Sequence, residues 1–351
     1  MLEKHEAGST QALLKKLTDL GATSGFEFEA AKNVCELFSK YMSVSVDALG
    51  NVVAKANENG KIKVLLDAHL DRIGLVIRGI DDGGFLLVDK VGGIDERVLT
   101  GAQVKVFGRE ELLGVICSTP PHLLTDADKE KGVEISKIAI DIGFDKKTAE
   151  SYVSVGDRAV VHSENGALLK NCVFASALDD RSGVAAVINA ANALCGKLSN
   201  VSLTMLLSSQ EETGGSGAKV GAYNADADYA IAVDVGFGAT DAATSKSGET
   251  IELGKGPSIG ISPVLDRELM LKLKKLAEDN NIPYQHDVMS PRTGTNADSI
   301  CISKGGVKTA LLSIPLKYMH TPVEVVDIED IDNTSALIEM FILSLEDETN
   351  A

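Results

Sequence analysis

The sequence predicts an α/β protein: a mostly parallel sheet covered by helices on both faces, interrupted by a small β module. Three observations predict it. Continuous apolar runs suited to buried strands alternate with helical periods in residues 1–70 and 164–351. Residues 71–163 show short β-rich runs separated by Gly, Asp and Pro turns. A chain of 351 residues that is 44% hydrophobic can bury a sizeable core in two units.

The elements follow in order. Leu13, Leu14, Leu17 and Leu20 recur at helical spacing after Gln11. A second helix is expected from Phe26 to Met42, with Ala30, Val34, Phe38 and Tyr41 on one side. VSVDALGNVVAKA reads as a hairpin turning near Leu49-Gly50-Asn51, and KVLLDAHL, from Lys63, as a buried strand. GLVIRGI, FLLVDKV, QVKVFG, LLGVICS, KIAIDIG and RAVVH supply the β module, with one helix at Lys146–Tyr152 and a polar loop at PPHLLTDADKEKG. After Gly166 the alternation returns. VAAVINAANAL, LMLKLKKLAED and IEDIDNTSALIEMFILSL read as helices, and VSLTMLLSS, YAIAVDV and VKTALLSI as strands.

Composition excludes several functions. The net charge of −17 opposes a nucleic-acid or anionic-membrane surface, which needs clustered positive charge. No run of about 18 apolar residues is present to span a membrane. The five Cys form no CxxC pair, and the first residues lack the apolar stretch of a signal peptide. These features give the expectation of a cytoplasmic protein. Trp is absent, so stacking platforms for sugars are scarce.

The informative side chains sit just past apolar strands, where open α/β sheets bind ligands. They are His69 and Asp71, Asp179 and Asp180, Glu211 and Glu212, Asp234, and His320. Taken singly, each has a structural reading: Asp179-Asp180 as a helix N-cap, Glu211-Glu212 as a solvated loop pair, His320 as the end of an extended segment before Thr321-Pro322. Taken together they offer two imidazoles, several carboxylates and no thiolate, a set suited to Zn²⁺, Co²⁺ or Mn²⁺. Carboxylates exceed what one tetrahedral ion needs, so one can bridge two metals roughly 3.5–4 Å apart. Asp71 can accept the other N–H of the His69 imidazole. One of Glu211 and Glu212 can bind metal while the other handles protons.

HLDRIG, ALDDRSG, QEETGGSGA, AVDVG, GTNAD and YMHTPVEVVDIEDI, in this order, resemble the tetrahedral, glutamyl and deblocking aminopeptidase family of dinuclear metallopeptidases. GGIDERVLTGAQVKVFG, GVICSTPPHLL, IDIGFDKKTAE and VGDRAVV extend the resemblance through the β module. It implies a zinc-peptidase-like α/β domain (1–70 and 164–351) carrying an inserted PDZ-like β-barrel dimerisation domain (71–163). It implies two divalent metal ions per subunit. His69 and Asp234 would bind one, Glu212 and His320 the other, and Asp179 both. Glu211 would be the catalytic base and Asp71 the partner of His69. Substrates would be short peptides with a free N-terminus, and dimers would assemble into tetrahedral dodecamers. The chain departs from the family pattern at Arg72, where Glu is usual, at Gly236, where Thr is usual, and at Asn296, where Asp is common.

Two other functions compete. Paired carboxylates also serve glycoside hydrolysis, but that chemistry leaves the His ligands idle. A non-catalytic metal-binding assembly protein would need no general base. Other motifs carry less. GPSIG fits GxSxG but has Pro263 where a helix should follow, so Ser258 is not read as a nucleophile. Thr295-Asn296-Ala297-Asp298 fits a capping box. Arg292 and Lys317 fall in pocket-forming segments and would favour an acidic substrate side chain.

Overall fold

A computed structural model describes residues 9–123, 133–239 and 251–348. Part of the expected polar loop, residues 124–132, lies outside them. The first strands are β1 (Ser43–Val46), β2 (Val52–Ala56) and β3 (Ile62–His69). The next six are β4 (Gly74–Ile80), β5 (Leu86–Val91), β6 (Gln103–Phe107), β7 (Glu111–Ser118), β8 (Ile138–Asp141) and β9 (Arg158–Val161). Then come β10 (Gly166–Ala167), β11 (Cys172–Ala175), β12 (Val201–Ser208) and β13 (Tyr229–Phe237). The last are β14 (Ser258–Ile261), β15 (Gln285–Val288), β16 (Lys308–Lys317) and β17 (Glu324–Asp327).

Strands β4 to β9 close into a barrel in the order β4-β5-β8-β7-β6-β9. Closure pairs every barrel strand on both sides and leaves no open edge. The helix at Lys146–Tyr152 forms where expected, capped by the Asp145 side chain on the Thr148 N–H.

The other eleven strands form one mixed sheet, ordered β1-β2-β12-β3-β13-β16-β17-β11-β10 with β14 and β15 branching from β16. Its centre, β12-β3-β13-β16, is parallel, as the apolar runs predict. The pairs β1-β2 and β16-β17 are antiparallel, since each is joined by a short connection instead of a helical crossover, while the branch pair β14-β15 is parallel. Both faces of the centre are covered. On β3, Val64, Leu66 and Ala68 enter the larger core with the helices Leu178–Leu194 and Ile328–Glu348. Leu65 points the other way, against Ala218, Ala222, Ala297 and Ile300. That two-sided burial is why β3 reads as an uninterrupted apolar run.

The second helix is shorter than expected, spanning Phe28–Cys35. Its start is set by a turn in which the Phe26 N–H reaches the Thr23 carbonyl and the Glu27 carboxylate folds back onto the Gly25 N–H. Its end tightens when the Leu37 N–H bonds to Val34 O. Among the described residues no helix is long and apolar enough to cross a membrane. All five cysteines are free thiols.

Candidate active site

The carboxyl ends of the parallel strands deliver the polar side chains together. Ser208 on β12 pairs with His69, the last residue of β3, and Asp234 on β13 pairs with Ser313 on β16. The helix Leu178–Leu194 starts irregularly here, with Asp179 and Asp180 in non-helical conformations. The sequence places His320 beyond β16 and Glu211-Glu212 beyond β12.

These residues form two groups, each with ligand atoms within 4.8 Å of one another: His69, Asp180 and Asp234, and Asp179, Glu212 and His320. Asp179 joins them. Its Oδ1 lies 3.0 Å from His69 Nε2 and its Oδ2 lies 3.2 Å from His320 Nε2. Each imidazole faces a further acid: Asp234 Oδ1 is 3.8 Å from His69 Nε2, and Glu212 Oε1 is 3.5 Å from His320 Nε2. Glu211 lines the same cavity, of about 1000 Å³, as His69, Asp179, Glu212, Asp234 and His320. Arg292 also lines it. Lys317, which ends β16 and pairs with Val325, does not.

Crowding shows in the proton affinities. Burial and then repulsion from Asp179 push Glu212 up to about 8. Burial, despite the nearby His69 charge, holds Asp234 well above the usual carboxylate range. Burial also opposes charge on Asp179, but hydrogen bonds from His320 and His69 overcome it and hold that carboxyl below its ordinary value. Hydrogen bonding to Asp179 raises His320 to about 9. An acid-rich pocket of this kind is short of positive charge, and divalent cations would restore the ionised carboxylates. The donor set therefore fits hard to borderline divalent ions.

Asp71 is fully buried, and its contacts are wider than expected. Its carboxylate accepts the Glu211 N–H at 2.9 Å and the Glu212 N–H at 3.1 Å. The His69 Nδ1 lies 3.0 Å from the Asp71 main-chain oxygen and 3.6 Å from its carboxylate. The imidazole's second nitrogen is thus oriented mainly by backbone, and the side chain also grips the adjacent glutamates.

Several contributors lie outside the expected ligand set. The Asp180 carboxylate accepts the His69 N–H at 3.2 Å and the Gly183 N–H at 2.9 Å. Glu27 accepts the Gln210 N–H at 3.0 Å, next to the glutamate pair. The barrel contributes Gly93, whose carbonyl lies 3.1 Å from His320 Nδ1. The visible clue was the paired glycine in VGGID. A side chain at Gly93 would place Cβ 2.8 Å from that same nitrogen, so close approach requires glycine there. The expected capping box does not form, because the Thr295 hydroxyl accepts the Ala297 N–H and not that of Asp298; between them, the Asn296 amide donates to Asp67 Oδ2 at 2.9 Å and Ser208 Oγ at 2.8 Å. Asp298 instead ties the loop by accepting the Thr293 N–H and Oγ1–H. Ser258 is buried in β14 with its hydroxyl donated to Ser313 O, which excludes it as a nucleophile.

Two imidazoles and convergent carboxylates thus meet at the ends of parallel strands, beside a cavity of about 1000 Å³. The family described as M42 glutamyl aminopeptidase matches residues 50–337. A lysyl aminopeptidase of Pyrococcus furiosus is 33% identical over 342 residues, covering 95% of this chain and 97% of that one. Among solved structures, aminopeptidase APDkam598 from the archaeon Desulfurococcus kamchatkensis is 36% identical with a TM-score of 0.88, covering 95% of this chain and 94% of that one. The Pyrococcus horikoshii TET1 peptidase, described as able to assemble into a tetrahedron or a large octahedral shell, is 35% identical with a TM-score of 0.85, covering 95% and 99%. This chain belongs to the M42 glutamyl aminopeptidase family.

Proposed function

We propose that the protein is a dinuclear metallo-aminopeptidase that removes the N-terminal residue from short peptides. The observation that carries this reading is Asp179, which offers one carboxylate oxygen to each of two imidazoles, each of which faces a second acid. His69 and Asp234 would hold one divalent ion, Glu212 and His320 the other, and Asp179 both. Zn²⁺, Co²⁺ and Mn²⁺ all suit this donor set. The ions would supply Lewis acidity and lower the pKa of the attacking water. Glu211 acts as general base: it takes the water's proton and returns it to the departing amine. Burial raises the proton affinity of Glu211, which suits a group that must both accept and return a proton. The surrounding acids favour a free α-ammonium over an acylated N-terminus.

The inserted barrel, assigned to residues 71–163 between the two parts of the catalytic domain (1–70 and 164–351), would serve dimerisation. The likeness to the TET1 peptidase, described as able to assemble into a tetrahedron, supports assembly of those dimers into a tetrahedral dodecamer. Glu211→Gln tests the central assignment. It should retain both ions and lose about 10²–10⁴-fold in kcat. Near-normal turnover would refute the base.

A further inference from the structure

Resting on the dinuclear reading, we infer that Glu324 is a positioning residue that holds the bridging acid and the second imidazole ligand together through their backbones. Strand β17 lies between β16 and β11 in the sheet. β11 leads into the segment that carries Asp179, and β16 leads into the segment that carries His320. Glu324, the first residue of β17, pairs with Ala175 on β11 and stands between the two segments. It is 2% exposed, and both carboxylate oxygens are used. Oε2 accepts the Asp179 N–H at 3.2 Å and Oε1 accepts the His320 N–H at 2.9 Å.

Neither N–H belongs to a regular element that would satisfy it. Asp179 is non-helical, and His320 sits at φ 61°, in the left-handed region that non-glycine residues seldom occupy. Ala177, two residues before Asp179, has φ 62°. Such conformations persist only where the surroundings over-determine them. A buried carboxylate that accepts both N–H groups does so for two ligand segments at once. The other ligands are held differently: the His69 N–H by Asp180, the Glu212 N–H by Asp71, and Asp234 within β13. Arg72, buried and lining the same small cavity as Glu324, Asp179, Glu212 and His320, supplies the facing positive charge. The departure at Arg72 thus places a cation beside the positioning carboxylate.

The asymmetry makes the role testable. Glu324→Gln keeps the shape but leaves only one oxygen for two N–H donors and turns an NH₂ toward the other. Metal-free wild-type and variant chains are titrated with Co²⁺ against a competing chelator, and kcat, KM and thermal unfolding of the metal-free forms are measured in parallel. The expected result is roughly tenfold or greater weakening of one ion's affinity. The ion shared by His69, Asp234 and Asp179 should weaken less, because of its three ligands only Asp179 is tied to Glu324. kcat should fall with KM little changed. Glu324→Asp, which keeps the charge and shortens the reach, should lie between wild type and Glu324→Gln, and is read the same way should the amide variant not fold. Wild-type affinity for both ions with unchanged kcat, or equal weakening of both, would overturn the inference. A wild-type chain that binds no second ion would instead overturn the dinuclear reading, and the inference with it.

Discussion

Asp71→Asn puts the tie between strand β3 and the glutamate turn under direct test. In the wild-type chain one buried carboxylate accepts two adjacent backbone N–H groups, from Glu211 and Glu212, at 2.9 and 3.1 Å. Asparagine keeps the shape, removes the charge, and presents NH₂ to one of the two donors. The loss is one charge-assisted hydrogen bond, about 1.5–3 kcal/mol. If the bond is needed to hold the glutamates in their reactive geometry, that energy appears in the barrier, where about 1.4 kcal/mol is tenfold. The expected fall in kcat/KM is therefore about 10–150-fold. The His69 ring should be less affected, since its Nδ1 lies 3.0 Å from the Asp71 main-chain oxygen, which the substitution retains. The assay is the kcat/KM for an aminoacyl p-nitroanilide at saturating metal, with thermal unfolding as the check on folding. A correctly folded variant within twofold of wild type would refute the reasoning.

Two further outcomes follow from other contacts. Gly93→Ala would place Cβ 2.8 Å from His320 Nδ1, so the ring must turn or the barrel loop must retreat. We predict at least about tenfold loss of kcat, the scale of a misplaced catalytic group, with thermal unfolding little changed; kcat equal to wild type would contradict it. Asp330, whose carboxylate accepts the Gly254 and Gly256 N–H groups, is pushed up to about 6 by burial. The folded chain thus holds this proton more tightly than the unfolded chain, so the stability tied to it is full below the unfolded value near 4 and declines as pH rises toward 6. The decline is at most about 3 kcal/mol. Asp330→Asn should therefore become less destabilising relative to wild type between pH 4.5 and 7, the range of denaturant melts that reads this shift. A difference independent of pH would contradict it.

His69 and Asp234 were legible because each ends or interrupts an apolar strand with a residue that burial would otherwise disfavour. Asp179, Glu211, Glu212 and His320 were legible for the related reason that they follow such runs directly. Of the buried carboxylates that hold these segments, Asp71 and Asp180 stood beside the ligands in sequence, whereas Glu324 and Glu27 gave no sign of their part. Glu324 reaches the Asp179 N–H across 145 residues, and Glu27 reaches the Gln210 N–H across 183. No local periodicity encodes an acid whose partner is a distant backbone group. The parallel centre of the sheet was readable from strands buried on both faces. Its antiparallel margins were less so, because short strands such as β10 and β11 carry too few residues to show a pattern. The capping-box reading of Thr295–Asp298 failed because the Thr295 hydroxyl accepts the Ala297 N–H, while the Asp298 carboxylate turns to the Thr293 N–H and hydroxyl and leaves the Thr295 N–H to Thr293 Oγ1.

The most direct test of the account is hydrolysis of Glu-, Asp-, Leu-, Lys- and Ala-p-nitroanilides by chelator-stripped protein, with and without added Co²⁺ or Zn²⁺, beside the N-acetylated forms. The account predicts release that requires the metal, occurs only from free amines, and saturates near two ions per chain. Release that survives chelation, or that proceeds equally from acetylated substrates, would contradict it.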